Sequence, residues 1–306
     1  MNYSRDETST SPRRSSSHRS RASRIFRQTG LKVKLPRDYS EQTYASPYAI
    51  VRYPHQKRLR TAVDHILSGS PARLLDYGAG EGQMLIEALA GSYRPDVVVA
   101  FEPTEKYARH LQAKLVEHGL EDRVEVVTER AALDGRAFDY IACLGVLEHM
   151  PLNERNSFYS LCEQTLEPGG LFAVDIPVEI GPTLLVKSLA RVVLKGRNPE
   201  YSPWELLKIS VGAKVFDPAR FDPSSEATWI QDHKGFDYRL LREEAEYRFR
   251  MIETKRTPVG RLPAPLGNQE IFCSSRPFPT GKSDRGEMPN SINRFRESRA
   301  ERGSAN

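Results

Sequence analysis

Three glycines at alternate positions, Gly78, Gly80 and Gly82, follow directly on an apolar run from Ala72 to Leu75 and the acid Asp76. Gln83 to Ala90 then reads as the start of a helix. A strand, a tight turn and a helix in this order bring backbone amides within reach of a nucleotide-like ligand, because glycine carries no Cβ and tolerates positive φ. The spacing is G-x-G-x-G, not the G-x-G-x-x-G of a dinucleotide fold. Asp76 can accept hydrogen bonds from the turn amides or from a ligand ammonium. An ordinary strand-to-helix turn with an N-terminal acid is the alternative on this segment alone.

The chain continues in the rhythm that a parallel sheet requires. Asp96 to Phe101 reads as a second, fully buried strand, and Glu102 at its tip lies 20 residues past Gly82, about the length of a βαβ unit. A carboxylate there can accept from both hydroxyls of a ribose, or be a solvated strand-end acid. Val124 to Val127 is a third strand, followed by Thr128 and Glu129. Phe138 to Cys143 is a fourth, running into Leu144-Gly145-Val146-Leu147-Glu148-His149-Met150. Asn156 to Leu166 reads as a helix that Glu167-Pro168-Gly169-Gly170 stops and turns into a fifth strand, Leu171 to Ile176.

Five units in this order over residues 72–176 resemble the class I S-adenosylmethionine-dependent methyltransferases. The segments "F-D-x-I … V-L-E-H" and "L-x-P-G-G" are the most specific, and the former is similar to that of the small-molecule, ubiquinone-type O-methyltransferases. The resemblance implies an α/β fold: a doubly wound, mostly parallel seven-stranded sheet, Rossmann-like, with an antiparallel last strand. It further implies S-adenosylmethionine as cofactor, held by Asp76, Gly78, Gly80 and Gly82, with Glu102 on the ribose and Pro103 beside the adenine. Glu129 matches the acid that contacts the adenine amino group, although Thr128 replaces the usual glycine. Leu144 and Gly145 would line the methionine half by their backbone, and His149 would wall the methyl-transfer site. A lone histidine is more often structural than catalytic.

Past the fifth strand, residues 178–232 form an insertion that in this fold lies over the cofactor's methyl group as a helical lid. Gly181 to Lys195 reads as a helix with Leu185, Val186, Leu189, Val192 and Val193 on its inner, apolar face and Lys187, Arg191 and Lys195 opposite. Such a basic amphipathic helix also suits contact with an anionic membrane or a lipid-linked substrate. Ser202-Pro203-Trp204-Glu205 carries the capping-box signature of a second helix. A helix from Leu240, a strand from Tyr247 to Glu253, a Pro/Gly-rich connector and a last strand from Gln269 to Cys273 close the sheet. His233, just past the lid, is the candidate general base, a neutral imidazole able to take a proton from an acceptor hydroxyl or amine. A gate contact or a helix-terminal residue is the alternative.

Charge divides the chain of 306 residues into three parts: residues 1–37 carry +8, residues 275–306 carry +3, and the body at 38–274 carries −6. The two basic tails have too little apolar content to offset ordering entropy and are expected to be disordered. An Arg-rich tail also permits an electrostatic tether to nucleic acid. No apolar run approaches the ~18 residues of a transmembrane helix, and no secretory signal is visible. Three scattered cysteines exclude a disulfide framework and suit a reducing, cytoplasmic setting. No His/Cys cluster has metal-ligand spacing along the chain, so no metal is expected.

These observations point to a methyltransferase acting on a small-molecule or lipid-linked acceptor, at oxygen. The alternatives are an RNA methyltransferase that uses the basic N-terminal tail and a non-catalytic S-adenosylmethionine-binding protein. A nicotinamide dehydrogenase is disfavoured by the glycine spacing and the lack of a Tyr-x-x-x-Lys set. An adenine-N6 or glutamine methyltransferase is disfavoured by Leu144-Gly145-Val146-Leu147 where an Asn/Asp-Pro-Pro-aromatic motif would stand.

Overall fold

The computed structural model describes residues 43–182, 184, 185, 188, 189, 192, 201–213, 220, 228–231, 233–263 and 270–277, except the side chains of 50, 270–274 and 277. The chain separates into Met1–Asp38 and Tyr39–Asn306, and every described residue belongs to the second unit. Both basic tails up to residue 37 and from 278 onward, and with them the expectation of disorder, lie outside the described residues.

Seven strands form one sheet: β1 (Arg73–Tyr77), β2 (Val97–Phe101), β3 (Glu125–Val127), β4 (Phe138–Cys143), β5 (Leu166–Pro177), β6 (Phe249–Thr257) and β7 (Glu270–Pro277). The helices are α1 (Ala49–Gly69), α2 (Gln83–Leu89), α3 (Glu105–Glu117), α4 (Leu152–Thr165), α5 (Pro203–Ser210) and α6 (Tyr238–Arg248), with a further helical stretch within 182–192. Strand order is β3-β2-β1-β4-β5-β7-β6. β1 to β5 pair in parallel, and β7 runs antiparallel to both β5 and β6.

Alternation along the strands sends successive side chains into two separate cores. Leu75, Val99, Ile141 and Phe172 point to one face, where Phe158 and Tyr159 of α4 and Phe249 meet them. Leu74, Val98, Tyr140 and Ala173 point to the other, against Leu59 and Ile66 of α1, Leu85 of α2 and Leu111 of α3. Apolar residues on both faces explain why β2 reads as a continuous Val-Val-Val-Ala-Phe run rather than an alternating one.

Three features depart from the sequence pattern. Pro168, Gly169 and Gly170 do not separate helix from strand; they bulge out of β5, which pairs Leu166 with Phe138 and resumes with Leu171 opposite Tyr140. β7 reaches Pro277, past the expected domain end at 274. The third concerns the lid: Leu184 is 0% exposed and Ser188 is buried, whereas Leu189 is 66% exposed and Leu185 and Val192 also face solvent. The expected apolar face therefore looks outward, and the inner face is the one through Leu184, which packs with Ile180, Tyr201 and Ile209 of α5. The side chains of Val186, Lys187, Arg191, Val193 and Lys195 lie outside the described residues. The capping box of α5 forms as expected, with Glu205 N–H donating to Ser202 Oγ at 3.3 Å and Ser202 N–H to Glu205 Oε2 at 2.8 Å.

A buried ion pair ties α4 to α6: Arg155 Nε and Nη2 donate to Glu244 Oε2 and Oε1 at 2.7 and 2.8 Å. Removing one partner strands a charge in low dielectric, which costs far more than losing an exposed pair. Glu244→Ala is expected to destabilise by about 3–5 kcal/mol. Glu246→Ala, which breaks the exposed pair with Arg242, should cost under about 1 kcal/mol. Urea denaturation midpoints of the two variants measure the difference.

Candidate functional site

The residues singled out in the sequence collect along the carboxyl ends of the parallel strands, where the loops after β1 and β4 leave the sheet side by side. This is where open α/β sheets place ligands, because the strand order reverses between these two neighbours. Gly78, Gly80 and Gly82 have φ of +78°, +55° and +75°, so the turn depends on left-handed backbone at all three. A Cβ on Gly78 would stand 2.6 Å from Val146 Cγ2, and one on Gly82 would stand 2.2 Å from Leu111 Cδ1. A Cβ on Gly80 would meet nothing within 4 Å. Two glycines thus serve close packing, and the middle one opens onto space that a ligand can fill.

Glu102, buried at the tip of β2, braces this turn: Gly80 N–H donates to Oε2 and Thr104 N–H to Oε1, each at 2.9 Å. Phe101 carbonyl accepts from Gly78 and Ala79 N–H at 2.8 and 3.0 Å. Asp76 is buried below the turn, and burial, with the Glu102 carboxylate nearby, pushes its pKa up to about 7. Pro103 and Glu129 are exposed past the ends of β2 and β3. Glu129 caps a short 3₁₀ turn, its carbonyl accepting from Ala132 N–H at 3.0 Å. Leu144 is half-buried against the second core, and Gly145, at φ +68°, donates its N–H to Asp175 Oδ1. Asp175 in turn faces Arg58 Nε at 3.2 Å, and Arg58 Nη2 donates to Tyr44 Oη at 2.9 Å.

The two histidines, 84 residues apart in sequence, meet: His149 Nε2 and His233 Nε2 are 3.3 Å apart. His149 Nδ1 lies 2.7 Å from Ile230 carbonyl, which only accepts, so Nδ1 carries the proton. Ile230 N–H donates back to His149 carbonyl at 2.7 Å, and the Trp229 ring stacks on the imidazole at 4.7 Å. His233 Nδ1 faces Glu179 Oε1 at 3.4 Å. Beneath the pair sits Glu148, whose carboxyl is held above the usual carboxylate range by burial and by the Asp175 carboxylate, with His233 pulling it down. Donor atoms of Glu148, His149 and His233 lie within 4.8 Å of one another, a grouping with metal-ligand chemistry that the linear spacing hides.

Arg220 holds this arrangement together. It is 1% exposed, its Nη1 donates to Glu148 carbonyl at 2.7 Å and its Nε to Lys234 carbonyl at 2.8 Å. It therefore ties the residue before His149 to the residue after His233. Asp175, Glu179, Arg58, Arg220 and Trp229 were not singled out from the sequence. Asp175 and Glu179 carry a signal, as acids inside or beside an apolar strand; the other three become visible only through their contacts. A cleft of about 620 Å³ lined by Lys57, Arg242, Lys255 and Arg256 shares none of these residues.

Residues 51–190 match a protein family described as "Methyltransferase domain". The ubiquinone biosynthesis O-methyltransferase of Salmonella enteritidis PT4 is 32% identical over 100 residues, 32% of this chain and 39% of that protein. Its counterpart in Salmonella newport is 34% identical over 106 residues, again 39% of that protein. The chain thus spans about two fifths of the length of these curated relatives. Among solved structures, the PH0226 protein of Pyrococcus horikoshii OT3 aligns with a TM-score of 0.48 at 16% identity, covering 79% of this chain and 97% of that one. A methyltransferase from Thiobacillus denitrificans, solved with S-adenosyl-L-homocysteine, aligns with a TM-score of 0.35 at 20% identity over 51% of this chain and 62% of that one.

The glycine geometry yields a graded expectation. Gly78→Ala adds left-handed strain to a clash with Val146 and should destabilise by about 2–4 kcal/mol. Gly80→Ala adds strain alone, about 1–2 kcal/mol. Equilibrium unfolding in urea of both variants beside the parent resolves this difference.

Proposed function

We propose that this chain, whose residues 51–190 match a methyltransferase-domain family, is a class I S-adenosylmethionine-dependent enzyme that transfers a methyl group to a hydroxyl of a small or lipid-linked acceptor. The observation that carries the reading is the left-handed glycine turn braced by Glu102, with open space above Gly80. Its donor set fits the cofactor. A buried acid, Asp76, suits the ammonium of the methionine half, and Glu102 can exchange its amide partners for ribose hydroxyls. Pro103 and Glu129, at the exposed strand ends, are assigned to the adenine, and Leu144 and Gly145 to the methionine half.

When bound there, S-adenosylmethionine supplies a methyl carbon activated by a positively charged sulfur. The protein's share of the work is to align the acceptor, exclude water and see its proton removed. The His149–His233 pair is assigned to acceptor activation, with Glu179 behind His233 to stabilise positive charge and Ile230 fixing the tautomer of His149. Trp229 supports an apolar acceptor: it is half-exposed, stacks on His149, and follows a lid whose Leu185, Leu189, Trp204, Leu207 and Val211 are exposed. The two curated relatives act, by name, in ubiquinone biosynthesis, which agrees with a hydroxyl on a lipid-linked ring. Among the described residues, no helix is long and apolar enough to cross a membrane.

Incubating the full chain with methyl-labelled S-adenosylmethionine and separate small-molecule, lipid and RNA extracts tests the acceptor. Label in the lipid or small-molecule fraction is expected; label in RNA alone would overturn the reading. His233→Asn should cut turnover on that acceptor at least ~100-fold, and a loss under about threefold would remove His233 from the chemistry.

Asp76 sets a pH dependence with a definite sign. Its carboxylate form pairs with a ligand ammonium, so affinity for S-adenosylhomocysteine should rise with pH through a pKa of about 7. The gain between pH 6 and pH 8 is roughly tenfold. Calorimetric titration should show this slope in the parent and its loss in Asp76→Asn. Stability of the ligand-free protein runs the other way. Because the folded pKa is raised from 3.8 to about 7, the Asp76 contribution is fully present below that window and lost as pH rises through it.

A further inference from the structure

We infer that the basic cleft at the outer edge of the sheet is a second binding site, for a small soluble ligand that carries a diphosphate or several phosphates. The cleft, of about 620 Å³, is built from three elements. Lys57 and Thr61 stand one turn apart on α1, Arg242 comes from α6, and Thr254, Lys255 and Arg256 belong to the second half of β6. Leu59 places α1 in the second core and Leu241 places α6 in the first, so these helices cover opposite faces of the sheet. β6 is the outermost strand, separated from β4 by β5 and β7. Lys255 and Arg256, as neighbours along it, point to opposite sides. Cations from both helix layers thus meet around one strand edge.

Three observations point to an anion there. Four cations and no acid line the cleft, on a body whose net charge is −6. Like charges held together repel, and a bound anion relieves that repulsion. Secondly, the cations are available. The side chains of Lys57 and Arg256 make no hydrogen bond or ion pair with another described residue. Arg242 Nε meets Glu246 Oε1 at 2.6 Å with both side chains 41% exposed. Lys255 Nζ meets Glu253 Oε1 at 3.1 Å, while His65 Nε2 draws on the other oxygen of Glu253 at 3.3 Å. Exposed pairs of this kind contribute little and exchange readily for a phosphate. Thirdly, β6 has a strand neighbour on one side only, so backbone N–H groups on its outer edge face no neighbouring strand.

The lining also sets the chemistry of the ligand. One phosphate engages one or two cations, whereas four cations spread over three elements suit an extended charge such as a diphosphate, which guanidinium forks bind by paired hydrogen bonds. The volume falls within the ~300–1,000 Å³ of small-ligand sites. Among the described residues, no aromatic ring lines the cleft to stack a base, and no large apolar side chain lines it to receive an acyl chain. A polar, multiply phosphorylated small molecule therefore fits better than a nucleic-acid strand or a membrane lipid. The inference goes beyond methyl transfer and does not depend on it, since none of the cleft's lining residues is among those assigned to that reaction.

The test is calorimetric titration of the full chain with sodium pyrophosphate and, separately, sodium phosphate. One pyrophosphate per chain is expected, with phosphate at least about tenfold weaker. The double variant Lys57→Gln/Arg256→Gln removes two charge-assisted contacts and should weaken pyrophosphate at least about tenfold, with an unchanged urea midpoint as the sign of an intact fold. Lys57→Arg/Arg256→Lys keeps the charge and should retain binding. Arg13→Gln/Arg14→Gln removes the same charge from the basic N-terminal tail and should leave affinity within about twofold. No pyrophosphate binding by the parent, binding unchanged in the glutamine variant of the cleft, or a loss that follows the tail variant instead overturns the site. Phosphatidylglycerol vesicles and a single-stranded RNA oligonucleotide complete the set. Binding of either that requires Lys57 and Arg256 and exceeds that of pyrophosphate overturns the assignment to a small soluble ligand.

Discussion

Between β1 and β4 the sheet changes direction of growth, and the glycine turn and the Gly145 loop are both set by that junction. Strands added from β1 outward run to β2 and β3, and strands added from β4 run to β5 and beyond. The loops that follow β1 and β4 therefore leave toward opposite faces and open a crevice between them. Val146 of one loop fills the hollow against Gly78 of the other, which is why that glycine admits no side chain. The turn that follows presents its Gly80 amide to Glu102, so three strand ends are coupled through one short hydrogen-bonded chain.

Around this crevice the protein buries several acids. Asp76, Glu102, Glu148 and Asp175 are all under a tenth exposed at the carboxyl ends of the strands. Burial raises the pKa of Asp76 and of Glu148, so this edge of the sheet gives up stability to keep acids in place. Away from the crevice the compensation is direct. Arg155 satisfies Glu244 by two hydrogen bonds and also reaches Met150 carbonyl at 2.6 Å, at the end of the Glu148–His149 turn. Arg220 carries the same support across to His233. Structural arginines and site acids thus form one connected arrangement, from α6 through α4 to the histidine pair.

Local pattern was most readable where burial is two-sided. The apolar runs of β1, β2 and β4, the acid after β2 and the glycine turn follow from residues that each constrain their own backbone. Leu184, Leu185, Val186 and Leu189 show where such reading stops. A helix apolar over so much of its circumference offers two faces for burial, and packing against Tyr201 and Ile209 selects the one through Leu184. Pro168-Gly169-Gly170 shows another limit: these residues do interrupt a regular strand, but pairing on both sides carries β5 through the interruption as a bulge.

By itself the sequence determined the α/β class, the parallel order of units and the left-handed glycine turn after the first strand. Glycine conformational freedom, strand periodicity and helix-stop chemistry are local properties that need no knowledge of distant residues. Only the tertiary structure decided the other half of the site. It brought His149 to within 3.3 Å of His233, set Glu179 and Ile230 behind them, and placed Asp175 between Gly145 and Arg58. Those contacts join residues tens of positions apart, and their existence depends on how the segment after β5 packs back over the sheet.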